Sequence, residues 1–279
     1  MKKDLNTLLK NDFVCLDGSM GAIVMAMGHA PGDILKLNVT EPETITGIHR
    51  GYFEAGSDIV FTNTFDLSEA AAERLGIPLG DIVRAAVDNA LEAAEGREDR
   101  YVLLDLSPSG MDEDKAAAHY EKIIRAAEGR TDGIILETMT SLSDMKAVLK
   151  VLPDTGKAPL LTSITVRENG KTWFGDDIKD YIDLANASDI AACGINCTLD
   201  PEGMLPFARM LKEKSVHPVF AKPNRGQPRR TENGSVYDMS AEDFAEGVKR
   251  IASEGIHILG GCCGSDAECI KKICEALKR

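Results

Sequence analysis

One cycle repeats along this chain: a short apolar run rich in β-formers, a turn of polar residues or glycine, then a segment of helical period. The runs fall at 13–16, 58–61, 101–106, 133–136, 160–166, 190–195, 219–222 and 256–259. Among the helical segments, 82–91 is the clearest, with Ile82, Val83, Ala86, Val87, Ala90 and Leu91 on one stripe. Others are expected at 112–128, 142–152, 178–186, 201–214, 240–253 and 266–277. Thr40-Glu41-Pro42-Glu43 reads as a capping box with proline early in a helix carrying Ile45, Ile48 and Phe53. Residues 224–233 read as a long polar loop. Eight strand–helix cycles predict an α/β fold, a (β/α)8 TIM barrel, and no Pro/Gly-rich linker divides 1–279 into more than one domain. A doubly wound open sheet is the alternative, but Gly18 and Gly21 do not make the glycine fingerprint expected after its first strand.

A barrel gathers the C-terminal ends of its strands at one rim, so residues that close separate runs converge there. Those ends carry Asp17, Asn63, Glu137, Cys197, Asn224, Cys262 and Cys263. The two adjacent thiols lie in Gly260-Gly261-Cys262-Cys263-Gly264, where glycine permits backbone angles that turn both sulfurs toward one point. Two buried small apolar residues, a vicinal disulfide or a redox pair would also account for them. With Cys197 at the same rim, three thiolates and no fourth Cys or His at a comparable strand end describe zinc with one position open. Cys15, Cys193, Cys269 and Cys274 read as packing, and the histidines at 29, 49, 119, 217 and 257 sit in helices or at strand beginnings.

The formal charge of −13 argues against a nucleic-acid surface. No apolar stretch is long enough to span a bilayer, and Met1-Lys2-Lys3-Asp4 turns polar before any signal-like core, so a cytoplasmic location is expected. Seven cysteines, an odd number, suit free thiols or metal ligands in a reducing compartment.

Five stretches carry a family resemblance: Asp17-Gly18-Ser19-Met20-Gly21, Thr62-Asn63-Thr64-Phe65, Gly194-Ile195-Asn196-Cys197, Pro223-Asn224-Arg225-Gly226 and the Gly-Gly-Cys-Cys-Gly segment. Together they resemble the homocysteine-binding, zinc-dependent S-methyltransferases, and the wording is nearest the homocysteine module of cobalamin-dependent methionine synthase. The resemblance implies that Cys197, Cys262 and Cys263 hold Zn2+ and act through it. It implies that Asp17 and Glu137 bind the acceptor's ammonium, and that backbone amides around Ser19 and Met20 take its carboxylate. Asn63 joins them in the acceptor site, and Asn224 is implied as the group at zinc's fourth position before substrate arrives. The implied reaction moves a methyl group to the thiol of homocysteine and yields methionine, because a thiolate is the nucleophile and a metal lowers the thiol's pKa.

The donor is expected to be a methyl-corrinoid carried by a partner protein, since the chain has no corrinoid signature of its own. Ser107-Pro108-Ser109-Gly110 runs almost at once into helix, which leaves that side of the mouth open. A small donor (S-methylmethionine, S-adenosylmethionine or betaine), another thiol acceptor, or a non-catalytic zinc and homocysteine-binding role are the alternatives.

Overall fold

The computed structural model describes residues 2–155, 158–231 and 234–277. Eight parallel strands form one sheet: β1 (Val14–Cys15), β2 (Ile59–Phe61), β3 (Tyr101–Leu106), β4 (Gly133–Met139), β5 (Leu160–Ile164), β6 (Ala192–Asn196), β7 (Val219–Lys222) and β10 (Ile258–Leu259). β8 (Pro228–Thr231) and β9 (Gly234–Tyr237) pair antiparallel outside it. The sheet runs β1-β10-β7-β6-β5-β4-β3-β2, and a bridge from Leu16 to Ile59 joins its edges into a nearly closed barrel. The chain is a single α/β domain of the expected class. Among the described residues no helix is long and apolar enough to cross a membrane.

Strand alternation divides the core in two. Outward residues such as Val60, Val102, Leu104, Ile134 and Leu136 pack under the helices. Inward residues Val14, Leu16, Ile59, Phe61, Tyr101, Leu103, Ile135, Leu161, Ala192, Phe220 and Ile258 fill the barrel as a separate cluster. Leu5 and Leu9 of the helix Leu5–Asn11 complete that cluster from the N-terminal end. Asp4 caps this helix, accepting from the Thr7 amide at 3.1 Å, and His257 Nε2 meets the Leu9 carbonyl at 2.8 Å.

Four local expectations are corrected. Thr40 does not open a capping box. It ends a short helix, Leu37–Thr40, and its hydroxyl donates to the Lys36 carbonyl; Glu41 takes the N-cap position of Pro42–Ala55 without a side-chain cap. β4 runs three residues beyond 136 through a register shift. The polar loop expected at 224–233 instead contains β8, which pairs with β9 just after it; 232 and 233 lie outside the described residues. Helices at Leu5–Asn11, Met20–Ala26 and Glu69–Leu75 were not expected at all, because each is a single seven-residue element too short to display a full amphipathic stripe.

Candidate active site

The C-terminal ends of the barrel strands open into a cavity of about 1050 Å³. Asp17, Ser19, Met20, Asn63, Glu137, Cys197, Cys262 and Cys263 all line it. Asn224 lies just behind: it is buried, and its Oδ1 accepts from the Cys263 amide at 3.1 Å. That bond, with Cys262 N–H on the Pro223 carbonyl (2.8 Å) and Arg225 N–H on the Cys263 carbonyl (2.9 Å), ties the turn after β7 to the paired cysteines. Of the three glycines around them, Gly264 has the left-handed backbone (φ +80°), and a Cβ there would meet the Tyr237 ring at 2.3 Å. Gly261 is needed for close approach instead, since a Cβ would lie 2.3 Å from Ser265 Oγ.

The sulfurs of Cys197, Cys262 and Cys263 lie within 4.8 Å of one another, and Cys197 Sγ is 3.6 Å from Cys263 Sγ. A tetrahedral ion with metal–sulfur bonds of about 2.3 Å separates its sulfurs by ~3.8 Å, so the three fit one ion. Hydrogen bonds from Cys197 and Cys262 pull Cys263 down to about 3, while Cys197, kept protonated by its two neighbours, is pushed well up. Cys262 gains from Cys197, but its donation to Cys263 and its burial raise it to about 12. Three sulfurs this close cannot all ionise without a cation among them. The donor set therefore suits a metal better than a dithiol.

Cys197 is held there at a cost. It and Thr198 have φ of 60° and 58°, unusual for side chains with a Cβ, and each such residue costs about 1–3 kcal/mol. Thr138, beside Glu137, is a third, at φ 62°. Asn196 compensates: its Oδ1 accepts from the Thr138 amide (3.0 Å) and the Ser163 hydroxyl (2.8 Å), and its Nδ2 donates to Thr138 Oγ1 (2.7 Å).

Asp17 and Glu137 do come together, around a residue the sequence reading passed over. The Lys222 ammonium, at the end of β7 and 2% exposed, donates to Asp17 Oδ1 at 2.8 Å and to Glu137 Oε1 at 3.0 Å. It also stands 3.9 Å from the centre of the Phe61 ring. Burial alone would lower Lys222, but the two carboxylates outweigh it and hold the ammonium charged. Burial raises Glu137 to about 7 against the pull of Lys222, and raises Asp17 in the same way. Asp17 Oδ2 is occupied as well, by the Phe61 amide at 2.7 Å.

The remaining predicted residues are less free than expected. Ser19 caps the helix Met20–Ala26 by accepting from the Ala22 amide through Oγ, and its own amide donates to the Ser265 carbonyl (2.9 Å); Met20 and Gly21, which open that helix, line the cavity. Asn63 spends its amide donors on the Ile34 carbonyl (3.0 Å) and Asn38 Oδ1 (3.1 Å). Beyond Lys222, the reading also missed Asp105 and Tyr237, which both line the cavity, Tyr237 within hydrogen-bonding reach of Cys263. For Asp105 the available signal was a charged residue inside the apolar run Leu104-Asp105-Leu106. Cys15, Cys193, Cys269 and Cys274 are buried away from the cavity, as expected of packing residues.

The model of the homocysteine S-methyltransferase family matches residues 14–277. The chain belongs to that family. It is 28% identical over 265 residues to methionine synthase of Mycobacterium leprae (strain TN), covering 87% of this chain and 22% of that protein. Against methionine synthase of Mycobacterium tuberculosis (strain ATCC 25618 / H37Rv) the identity is 28% over 301 positions, 98% of this chain and 25% of the other. The chain thus spans about a quarter of the length of these relatives. Among solved structures, the metallated form of the homocysteine methyltransferase MmuM from Escherichia coli superposes with a TM-score of 0.84 at 22% identity, covering 98% of this chain and all of that one (100%). The apo form of MmuM gives 0.76 at 23% identity, with 96% and 97% covered. At such identities the likeness is one of fold.

Proposed function

We propose that this protein is a zinc-dependent methyltransferase that moves a methyl group to the thiol of homocysteine, forming methionine. The observation that carries the reading is the three-cysteine cluster, which fits one tetrahedral ion and faces a cavity large enough for an amino acid. Membership of the family and the metallated form of MmuM support it. Bound at Cys197, Cys262 and Cys263, zinc would supply the Lewis acidity that keeps an acceptor thiol ionised at neutral pH. The chain's own residues do the rest. Asn224 fixes the Cys263 backbone and is the group we assign to the open position before the acceptor arrives, while Asn196 holds the strained Thr138 beside Glu137. The amides of Met20 and Gly21, next to Ser19, present donors to the acceptor's carboxylate, and Asn63 braces the cavity lining at Ile34. The acidic cluster that Asp17 and Glu137 belong to takes the ammonium end.

The donor we propose is a methyl-corrinoid on a partner protein or domain. The similarity to methionine synthase favours it, and so does the short turn Ser107 to Gly110, which leaves that side of the mouth open. The test is zinc-loaded protein with homocysteine, offered methylcobalamin, S-methylmethionine, S-adenosylmethionine and betaine in parallel. Methionine from methylcobalamin supports the corrinoid donor, and methionine from another donor overturns it while keeping the reaction. No methionine from these or from added methyl-corrinoid proteins overturns the enzyme reading.

A further inference from the structure

We infer that Asp105, acting with the second oxygen of Glu137, receives the acceptor's ammonium, because Lys222 already fills the place between Asp17 and Glu137. This rests on homocysteine being the acceptor. The argument is one of donors and acceptors. Lys222 Nζ has three protons and three partners: Asp17 Oδ1, Glu137 Oε1 and the Phe61 ring. Asp17 is spent on both oxygens, one on Lys222 and one on the Phe61 amide. Glu137 uses Oε1 alone among the described residues. Asp105 uses neither: it is 3% exposed, it lines the cavity, and its Oδ1 is buried with no hydrogen-bond partner among the described residues.

An unpaired buried carboxyl oxygen is costly, and one carried by a residue that lines a cavity is suited to a donor that arrives with the ligand. The charge balance points the same way. Asp17, Asp105 and Glu137 are three acids around one lysine, two more than the resident cation offsets, so the cluster has room for a further cation. Both acids line the same cavity, and burial, with the Glu137 charge as the strongest neighbouring charge, holds the Asp105 carboxyl well above its usual range. On this geometry Lys222 is a resident cation that narrows the acid cluster to a single vacancy, and Asp105 determines that the acceptor carries an amine.

The experiment is calorimetric titration of zinc-loaded wild type, Asp105→Asn and Asp105→Glu with L-homocysteine and with its des-amino analogue, 4-sulfanylbutanoate. A charge-assisted hydrogen bond of the usual strength predicts that wild type favours homocysteine by about tenfold or more. Asp105→Asn should erase that preference by weakening homocysteine alone, with 4-sulfanylbutanoate held within about twofold, and Asp105→Glu should restore part of it. An Asp105→Asn protein that keeps the full preference, or that weakens both thiols equally, overturns the assignment. A wild type that prefers 4-sulfanylbutanoate overturns it too, and shows instead that Lys222 has replaced the substrate's amine. If neither thiol binds any of the three proteins, the homocysteine reading itself fails.

Discussion

The two ends of the barrel interior are made by the same strands a few residues apart, and they are held together by opposite means. At the N-terminal end, Tyr101, Leu103, Ile135, Leu161 and Phe220 pack on one another and on Leu5 and Leu9. Farther along the same inward faces stand Asp105, Glu137, Ser163, Asn196 and Lys222. The lower layer is stable because it excludes water. The upper layer has to be stable in spite of excluding it, so most polar groups there are paired, and among the described residues Asp105 is an exception. The difference teaches where function can sit: burying an apolar side chain needs no partner, whereas a buried charge without one is a vacancy for a ligand.

The largest effect should come from breaking the upper end at its three-cysteine cluster. Cys197→Ser or Cys262→Ser is expected to weaken zinc by more than the 10- to 100-fold typical of outer-shell partners, read by chelator competition. Metal-free wild type and variants should melt within a few degrees of each other. A collapse of the metal-free fold would mean that the cysteines also hold the barrel together.

Phe220→Ala probes the other end. Phe220 is fully buried, and deleting such a ring costs about 3–5 kcal/mol. Urea unfolding should show that loss while zinc stoichiometry and homocysteine affinity stay at wild-type levels below the transition. If affinity falls as well, packing below is setting geometry above.

Acid titration sharpens the contrast, since the upper layer alone contains the relevant groups. Glu137 holds its proton up to about 7 in the folded chain, against 4.5 ordinarily. Between those values the folded protein binds the extra proton, so this contribution is fully present below 4.5 and is lost as pH rises through 7. The loss is at most ~3 kcal/mol. His49, buried among the helices and lowered to about 4, works in the opposite direction as pH falls below 6.5. The Glu137→Gln variant keeps His49, so the difference between wild type and variant isolates the glutamate. In metal-free protein that difference should grow by about 2–3 kcal/mol between pH 4.5 and pH 7.5, with wild type losing more; a flat difference would show that Glu137 is ionised throughout. In zinc-loaded protein, Glu137→Ala should raise the KM for homocysteine about tenfold with zinc retained.

What could be read from the sequence follows the same division. The lower layer and the helical shell announce themselves by periodicity, so the strand order, the barrel and the buried stripe on Leu79–Ala94 were all legible. The thiols were legible because cysteine pairs in glycine have few explanations. Lys222 was not, because a lysine ending a strand usually marks the surface, and nothing local reveals that Asp17 and Glu137 lie across the barrel from it. The helix Leu5–Asn11 escaped for the converse reason: seven residues with two buried leucines look like a polar tail until the open end of a barrel is there to receive them.

That helix supplies the smallest and cleanest test of how separate the two ends are. Asp4 caps it by accepting from the Thr7 amide, and an N-cap replaced by alanine costs about 1 kcal/mol. Asp4→Ala should therefore lower stability by roughly that amount. The cap touches nothing in the cavity, and the length of β3, six residues at ~3.3 Å each, lies between. Homocysteine KM should not move. A changed KM at so small a loss of stability would mean that the plug sets strand positions at the far rim. The barrel interior would then be one mechanical unit rather than a passive lower half beneath a reactive upper one.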